Sequence, residues 1–214
     1  MLEMKNVSYS YKKSKREEKR VFENISYVFE KGKVYTIFGP SGVGKTTLIS
    51  LLGGLEEPDK GEILLEGQNI KQIGYNELRK KYVSYVFQDY HLFPYMNAVE
   101  NVMVAGKISN QKKNIEKRCE EILEKLGIQK EDQKRVVTRL SGGQQQRVAI
   151  ARALISNGDY ILADEPTGNL DSENTKHIME ILISLAHKEN KCLIIVTHSD
   201  YVKNMSDVSY NLAE

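Results

Sequence analysis

The chain has 214 residues, of which 40% are hydrophobic, so it is long enough to bury a core as one domain. Its 31 basic and 29 acidic residues give a net charge of +2, which excludes a global positive field, and we expect no nucleic-acid partner. Apolar runs such as residues 192–196 are shorter than the roughly 20 residues of a membrane-spanning helix. The first five residues lack the pattern of a secretory signal, so we expect a cytoplasmic chain whose Cys119 and Cys192 are reduced thiols.

The first strand is predicted at residues 2–11, where apolar and polar residues partly alternate. Residues 12–20 hold six basic and two acidic residues and favour an exposed hairpin tip over a binding patch. The strand pattern resumes at residues 21–29. Tyr11 lies shortly before the next motif, and its ring could either support a flat aromatic base or fill the core.

Residues 39–46 (Gly-Pro-Ser-Gly-Val-Gly-Lys-Thr) fit the phosphate-binding pattern G-x-x-x-x-G-K-[ST]. A predicted buried strand at residues 33–38 precedes this phosphate loop, and a predicted helix at residues 47–52 follows it. Such a turn gathers unpaired backbone N–H groups at the positive end of a helix dipole, where they bind phosphate. The alternative is a glycine-rich turn that matches the pattern by chance. All four fixed positions match, and they lie between a predicted strand and a predicted helix, which favours the phosphate-binding interpretation. The predicted nucleotide-binding residues here are Gly39, Pro40, Ser41, Gly42, Val43, Gly44, Lys45, Thr46 and Thr47.

After a turn at residues 53–61, short strands are predicted at 62–65 and 83–87, the second leading to Gln88. The Gln88 amide could offer its oxygen to a metal or to a water, or could simply be a surface polar group. Asn97 and Glu100 are spaced as a helix N-cap and its partner, and residues 114–126 carry apolar side chains at helical spacing up to Gly127.

These patterns predict an α/β fold: a phosphate-loop NTPase core with an antiparallel β subdomain and an inserted helical subdomain. The core is expected at about residues 1–88 and 158–214, and the helical subdomain at about 89–157.

The helical subdomain ends in a second candidate anion site. Ser141 and Gln144 form an S-x-x-Q capping box, a common way to begin a helix. Gly142 and Gly143 leave the adjacent backbone N–H groups uncovered, so this helix start could also bind phosphate.

Leu-Ser-Gly-Gly-Gln at residues 140–144 resembles the signature sequence of the ATP-binding cassette (ABC) ATPases. Residues 160–166 look like the Walker B strand and catalytic glutamate of that family, residues 168–171 are similar to its dimer-contacting loop, and residues 193–198 resemble its switch histidine strand. Read without the resemblance, Asp164 and Glu165 could mark an ordinary strand exit, and His198 could be structural.

The resemblance implies ATP and Mg²⁺ as ligands. It assigns adenine stacking to Tyr11, the β- and γ-phosphates to Lys45, and the metal to Thr46, Gln88 and Asp164. Glu165 would orient the attacking water, and His198 would hold the γ-phosphate and the water in line.

It also implies partners. Two copies would pack head to tail, so that Ser141 and Gly143 of one copy contact the γ-phosphate at Lys45 of the other. A separate membrane permease would hold the chain at the cytoplasmic face of the cell membrane. Residues 52–61 and 163–171 are similar to the lipoprotein-release, macrolide-efflux and antimicrobial-peptide branch. An importer ATPase, or a cassette ATPase acting on DNA or the ribosome, remain alternatives.

Overall fold

The computed structural model describes residues 1–14, 17–110 and 114–212, whose strands form two sheets. The strands are β1 (Leu2–Ser14), β2 (Glu17–Phe29), β3 (Val34–Phe38), β4 (Lys60–Leu65), β5 (Gln68–Asn69), β6 (Val83–Val86), β7 (Tyr160–Asp164), β8 (Cys192–Thr197) and β9 (Val208–Asn211). An antiparallel sheet has the order β2-β1-β4-β5, and a parallel sheet has the order β6-β7-β8-β3-β9. The predicted pairing of a nucleotide-binding core with antiparallel strands is confirmed.

Helices connect the parallel strands and follow the antiparallel ones. They are α1 (Lys45–Leu52), α2 (Ile70–Ile73), α3 (Tyr75–Lys81), α4 (Ala98–Ile108), α5 (Ile115–Lys125), α6 (Lys130–Gln133), α7 (Gly142–Ser156), α8 (Ser172–Glu189) and α9 (Asp200–Asn204), with a 3₁₀ turn at Val137–Arg139. The predicted capping boxes are present at Asn97 of α4 and Ser141 of α7. Within the described ranges, no helix is long and apolar enough to cross a membrane.

Strands β1 and β2 extend further into the charged segment than the sequence predicts. Their antiparallel pairing continues to Ser14 opposite Glu17. Lys19 and Arg20 are exposed, as expected, whereas residues 15 and 16 of the predicted tip lie outside the described residues.

The parallel sheet is buried on both faces, and β8 shows how. Leu193 and Ile195 pack into an apolar cluster with helices α4, α5, α7 and α8, whereas Ile194 and Val196 pack into a second cluster with α1 and the antiparallel sheet. Side chains alternate between faces along a strand, which explains the uninterrupted apolar run. Both cysteines are free, as predicted, and both are buried.

The parallel direction of these strands positions the candidate site. Because their carboxyl ends share one edge, the residues that follow β3, β6, β7 and β8 meet there: the phosphate loop, Gln88, Glu165 and His198. The register agrees, since Phe38 pairs with Thr197 and Asp164 pairs with Val196.

Candidate active site

A cavity of about 590 Å³ opens at this edge of the parallel sheet. The predicted residues that line it are Tyr11, Ser41, Gly42, Gly44, Lys45, Thr46, Thr47, Gln88, Asp164, Glu165 and His198. Gly39, Pro40 and Val43 belong to the same loop but do not line the cavity. Ser141, Gly142, Gly143 and Gln144 lie outside it, at the start of α7.

The phosphate loop needs its glycines for backbone geometry. Gly44 has a φ of 106°, and a Cβ there would come within 2.5 Å of Val21 and 2.9 Å of Phe22. Gly42 has a φ of 79°, also in the left-handed region that residues with a Cβ rarely adopt. Gly44 precedes α1 without a side-chain cap, so the first N–H groups of the helix face the loop and can bind an anion.

Lys45 folds back over the loop from the first position of α1. Its Nζ donates hydrogen bonds to the carbonyl oxygens of Gly39 and Pro40, at 2.8 Å and 3.0 Å. These bonds fix the ammonium group beside the phosphate-binding N–H groups, in a side chain that is only 9% exposed.

Oxygen donors from two elements meet beside Lys45. The Asp164 carboxylate, at the end of β7, accepts a hydrogen bond from the Thr46 hydroxyl. Burial raises the pKa of Asp164, although Thr46 and Lys45 oppose the shift. Hydroxyl, carboxylate and amide oxygens are ligands that suit Mg²⁺, so Thr46, Asp164 and Gln88 form a donor set that fits this ion.

Three hydrogen bonds orient the Glu165 carboxylate. Its Oε1 accepts from the backbone N–H of His198 at 3.0 Å and lies 2.6 Å from Nδ1 of the same histidine. Its Oε2 accepts from the hydroxyl of Thr197 at 2.9 Å. Glu165 itself has a φ of 45°, and such left-handed residues cluster at functional sites.

Thr197 was not singled out by the sequence patterns. It is the last residue of β8, 1% exposed, directly before His198. A buried hydroxyl at the end of an apolar strand was the available signal, but its partner Glu165 is 32 residues away in the chain.

Tyr11 is 42% exposed, so the core-filling interpretation of this residue is wrong. Its hydroxyl lies 2.9 Å from Oγ1 of Thr47, and its ring packs edge-on against Tyr9 with centroids 5.2 Å apart. Tyr9 is buried and donates a hydrogen bond to Glu56. Both contacts hold the Tyr11 ring at the cavity and leave part of the ring surface exposed to solvent.

The start of α7 is a separate, accessible helix N-terminus. The Ser141 hydroxyl accepts from the N–H of Gln144 at 3.2 Å, and the Gln144 side chain accepts from the N–H of Ser141 at 2.9 Å. A Cβ on Gly143 would come within 3.2 Å of Leu170, so the signature sequence adjoins the loop at residues 168–171.

Three features define an ATPase of the phosphate-loop class. They are the phosphate loop with its lysine, the carboxylate pair at the adjacent strand end, and a separate glycine-rich helix N-terminus. Residues 22–168 match the family model described as ABC transporter. The chain therefore belongs to the ABC transporter family, and it is an ATP-binding and ATP-hydrolysing subunit of that family.

Relatives and solved structures agree. The chain is 46% identical over 214 residues to the uncharacterized ABC transporter ATP-binding protein YclH of Bacillus subtilis (strain 168), covering 100% of this chain and 93% of YclH. It is 38% identical over 196 residues to the lipoprotein-releasing system ATP-binding protein LolD of Treponema denticola, covering 90% and 86% of the two chains. The ABC transporter cassette MJ0796 superimposes with a TM-score of 0.92 at 33% identity, covering 100% of this chain and 96% of its own; it is known as a dimer and in a post-hydrolysis state with ADP and Pi.

Proposed function

We propose that this chain hydrolyses MgATP as one of two copies joined head to tail by ATP, and that the cycle powers a separate membrane permease for export or release. The observation that carries the proposal is the convergence of Lys45, Asp164 and Glu165 in one cavity while the signature sequence lies outside it. A second copy can bring its own signature sequence to that cavity.

The nucleotide is held from its two ends. Tyr11 stacks on the adenine, and its bond to Thr47 fixes the ring relative to α1. The N–H groups of the phosphate loop hold the phosphates, and Lys45 replaces its bonds to Gly39 and Pro40 with bonds to the β- and γ-phosphates.

Thr46, Asp164 and Gln88 would hold Mg²⁺, which neutralises charge on the phosphates when bound. Burial raises the pKa of Asp164, and the neighbouring carboxylates of Glu165 and Asp89 add to that effect. A divalent cation would compensate for the lost solvation, so the same burial that disfavours an isolated Asp164 anion favours its role as a ligand.

Glu165 orients the water that attacks the γ-phosphate. An ionised carboxylate only accepts hydrogen bonds, so Glu165 can accept a proton of that water and direct its lone pair at phosphorus. Thr197 and the His198 N–H keep the carboxylate in place, and the His198 ring moves from Glu165 to the γ-phosphate.

The second copy completes the site. Ser141, Gly142, Gly143 and Gln144 of one chain provide a helix N-terminus to the γ-phosphate held by Lys45 of the other. The dimer is an isologous, two-fold assembly with two such sites. The similar cassette MJ0796, which is described as dimeric, supports this arrangement.

The partner driven by ATP hydrolysis is a permease with few membrane spans and a large extracytoplasmic domain. This permease binds the chain at the cytoplasmic face of the cell membrane. The likeness to the lipoprotein-releasing ATP-binding protein LolD favours release or export of a lipoprotein, peptide or drug-like substrate over import.

Affinity purification of the tagged chain from detergent-solubilised native membranes tests this proposal. The expected result is co-purification of one such permease in stoichiometric amount, and faster ATP hydrolysis by the complex than by the chain alone. The Glu165→Gln chain serves as a control that keeps the permease and loses hydrolysis. Reproducible recovery of a solute-binding protein with a many-span permease, or of only soluble proteins or nucleic acid, would contradict it.

A further inference from the structure

Gln88 reaches the cavity from a short segment, residues 87–91, that has an unusual backbone. Tyr90 and His91 have φ values of 54° and 49°, so two consecutive residues with side chains are left-handed. This conformation is unfavourable for residues with a Cβ and persists only where the surrounding structure holds it. The Gln88 segment therefore needs contacts from neighbouring elements to hold this conformation.

Arg152 of α7 bonds to both left-handed residues. Its Nη2 donates to the carbonyl oxygen of Tyr90 at 2.6 Å, and its Nη1 donates to the carbonyl oxygen of His91. The planar guanidinium suits two neighbouring acceptors, and it remains charged although burial lowers the pKa of Arg152.

Ring contacts fix the other end of the segment. Tyr85 of β6 stacks on Phe87 with centroids 4.2 Å apart, and Phe87 stacks on His91 at 4.9 Å. Gln88 therefore lies in a short arch whose first residue is anchored on the sheet and whose last two are anchored on α7.

The same segment also contacts the signature sequence at the start of α7. The Tyr90 hydroxyl would lie 3.4 Å from a Cβ placed on Gly142. Helix α7 thus contacts the Gln88 segment twice, through Gly142 at its N-terminus and through Arg152 about three turns later.

We propose that Arg152 is a positioning residue that fastens the Gln88 segment to the signature helix, so that Gln88 in the cavity and the signature sequence move together. The effect on hydrolysis rests on the proposed metal role of Gln88. The attachment itself rests on the contacts of Arg152 with Tyr90 and His91.

Three variants test the proposal. Arg152→Met removes both bonds while keeping side-chain length, and Arg152→Lys keeps the charge but has no planar fork to reach both carbonyls. Arg79→Met is the matched control, because Arg79 also donates to a backbone carbonyl, that of Gly54, on a different element.

The first readout is amide hydrogen exchange of the peptide covering residues 87–93. Exchange should be faster in Arg152→Met than in the wild-type and Arg79→Met chains, with Arg152→Lys between them. Unchanged exchange, or faster exchange spread evenly over the chain, would overturn the positioning role.

The second readout separates this inference from the proposed function. Arg152→Met should lower kcat about tenfold and raise the Mg²⁺ concentration for half-maximal activity, with ATP affinity in the absence of Mg²⁺ unchanged. Gln88→Ala should shift the Mg²⁺ requirement in the same direction. If Gln88→Ala shifts it and Arg152→Met does not, Arg152 does not position Gln88. If neither shifts it while exchange responds, the metal role of Gln88 fails and the attachment stands.

Discussion

The carboxylate of Glu165 lies 2.6 Å from Nδ1 of His198. Because an ionised carboxylate only accepts hydrogen bonds, Nδ1 carries the proton in this contact. The His198 side chain is 73% exposed, whereas the Glu165 side chain is 12% exposed, so the ring lies on the solvent side of the carboxylate. The proposed function requires an exchange in which the histidine turns to the nucleotide and a water takes its place beside Glu165, and the exposed ring is free to make that turn.

Thr197 is expected to matter for hydrolysis without touching ATP. The Thr197→Val substitution removes the hydroxyl that donates to Glu165 and keeps the shape of the side chain. Because hydrogen bonds to charged groups contribute about 1.5–3 kcal/mol, kcat should fall by at least about tenfold. KM for ATP should change less than twofold. A rise in KM with an unchanged kcat, measured by steady-state kinetics, would contradict the assignment.

Lys45 is expected to dominate phosphate binding. Lys45→Ala should weaken ATP binding by about 1.5–3 kcal/mol, the contribution of hydrogen bonds to charged groups. Isothermal titration calorimetry measures this directly. Lys33→Ala is the matched control, since Lys33 lies outside the cavity and pairs with Glu30. Equal ATP affinity in the two variants would count against the phosphate-binding role of Lys45.

The ionised Asp164 side chain is expected to lower the free energy of unfolding when no metal is bound. Burial raises the pKa of Asp164, so the ionised side chain destabilises the folded state at a pH above that raised pKa. Below about pH 4 the carboxyl is protonated in both the folded and the unfolded state, and this destabilisation disappears. At pH 7 the metal-free Asp164→Asn chain should melt about 2–4 °C higher, the shift that roughly 1 kcal/mol produces at this size. Its Mg²⁺-dependent hydrolysis should be lost. A lower melting temperature in metal-free buffer would refute this account.

Asp207 should show the opposite dependence on pH. Burial alone would raise its pKa, but hydrogen bonds from His187 and from the N–H of Val34 outweigh burial and hold the pKa below its usual value. The stability that its ionised form provides is present above about pH 4 and is lost as pH falls through the lowered pKa. Asp207→Asn should cost less than about 1 kcal/mol at pH 7, because the group is partly exposed.

Thermal unfolding from pH 7 down to pH 3 tests this, with Asp207→Asn and wild-type chains converging at low pH. A difference that widens with acid would contradict it.

Structural features that depend on a few adjacent residues could be predicted from the sequence. The phosphate loop, the cap at Ser141 and the strand ends at Asp164 and Thr197 depend on neighbouring residues and on strand direction, so their places followed from local patterns. Helix α8, the longest in the part of the chain that the structure describes, was not predicted, although Asp171 caps it by accepting a hydrogen bond from the N–H of Asn174. Asp171 is also the last residue of the loop at residues 168–171, so one short segment both ends a loop and begins a helix.

Relationships between distant residues could not be predicted. Thr197 and Arg152 act on groups 32 and more than 60 residues away, and no spacing rule connects them. Strand β9 pairs with β3, which lies far earlier in the chain, and no local pattern marks that pairing. The roles of the site residues and the bounds of the helical subdomain stay predictions, since they depend on ligands and on a second copy.

The measurement that tests the central claim most directly is the mass of the Glu165→Gln chain in solution, by gel filtration with light scattering. With MgATP we expect a dimer, because ATP joins the copies and the missing carboxylate prevents hydrolysis from separating them. Without nucleotide, and in a Glu165→Gln, Ser141→Arg double variant with MgATP, we expect a monomer. A Glu165→Gln chain that stays monomeric at saturating MgATP would contradict a site completed by the second copy.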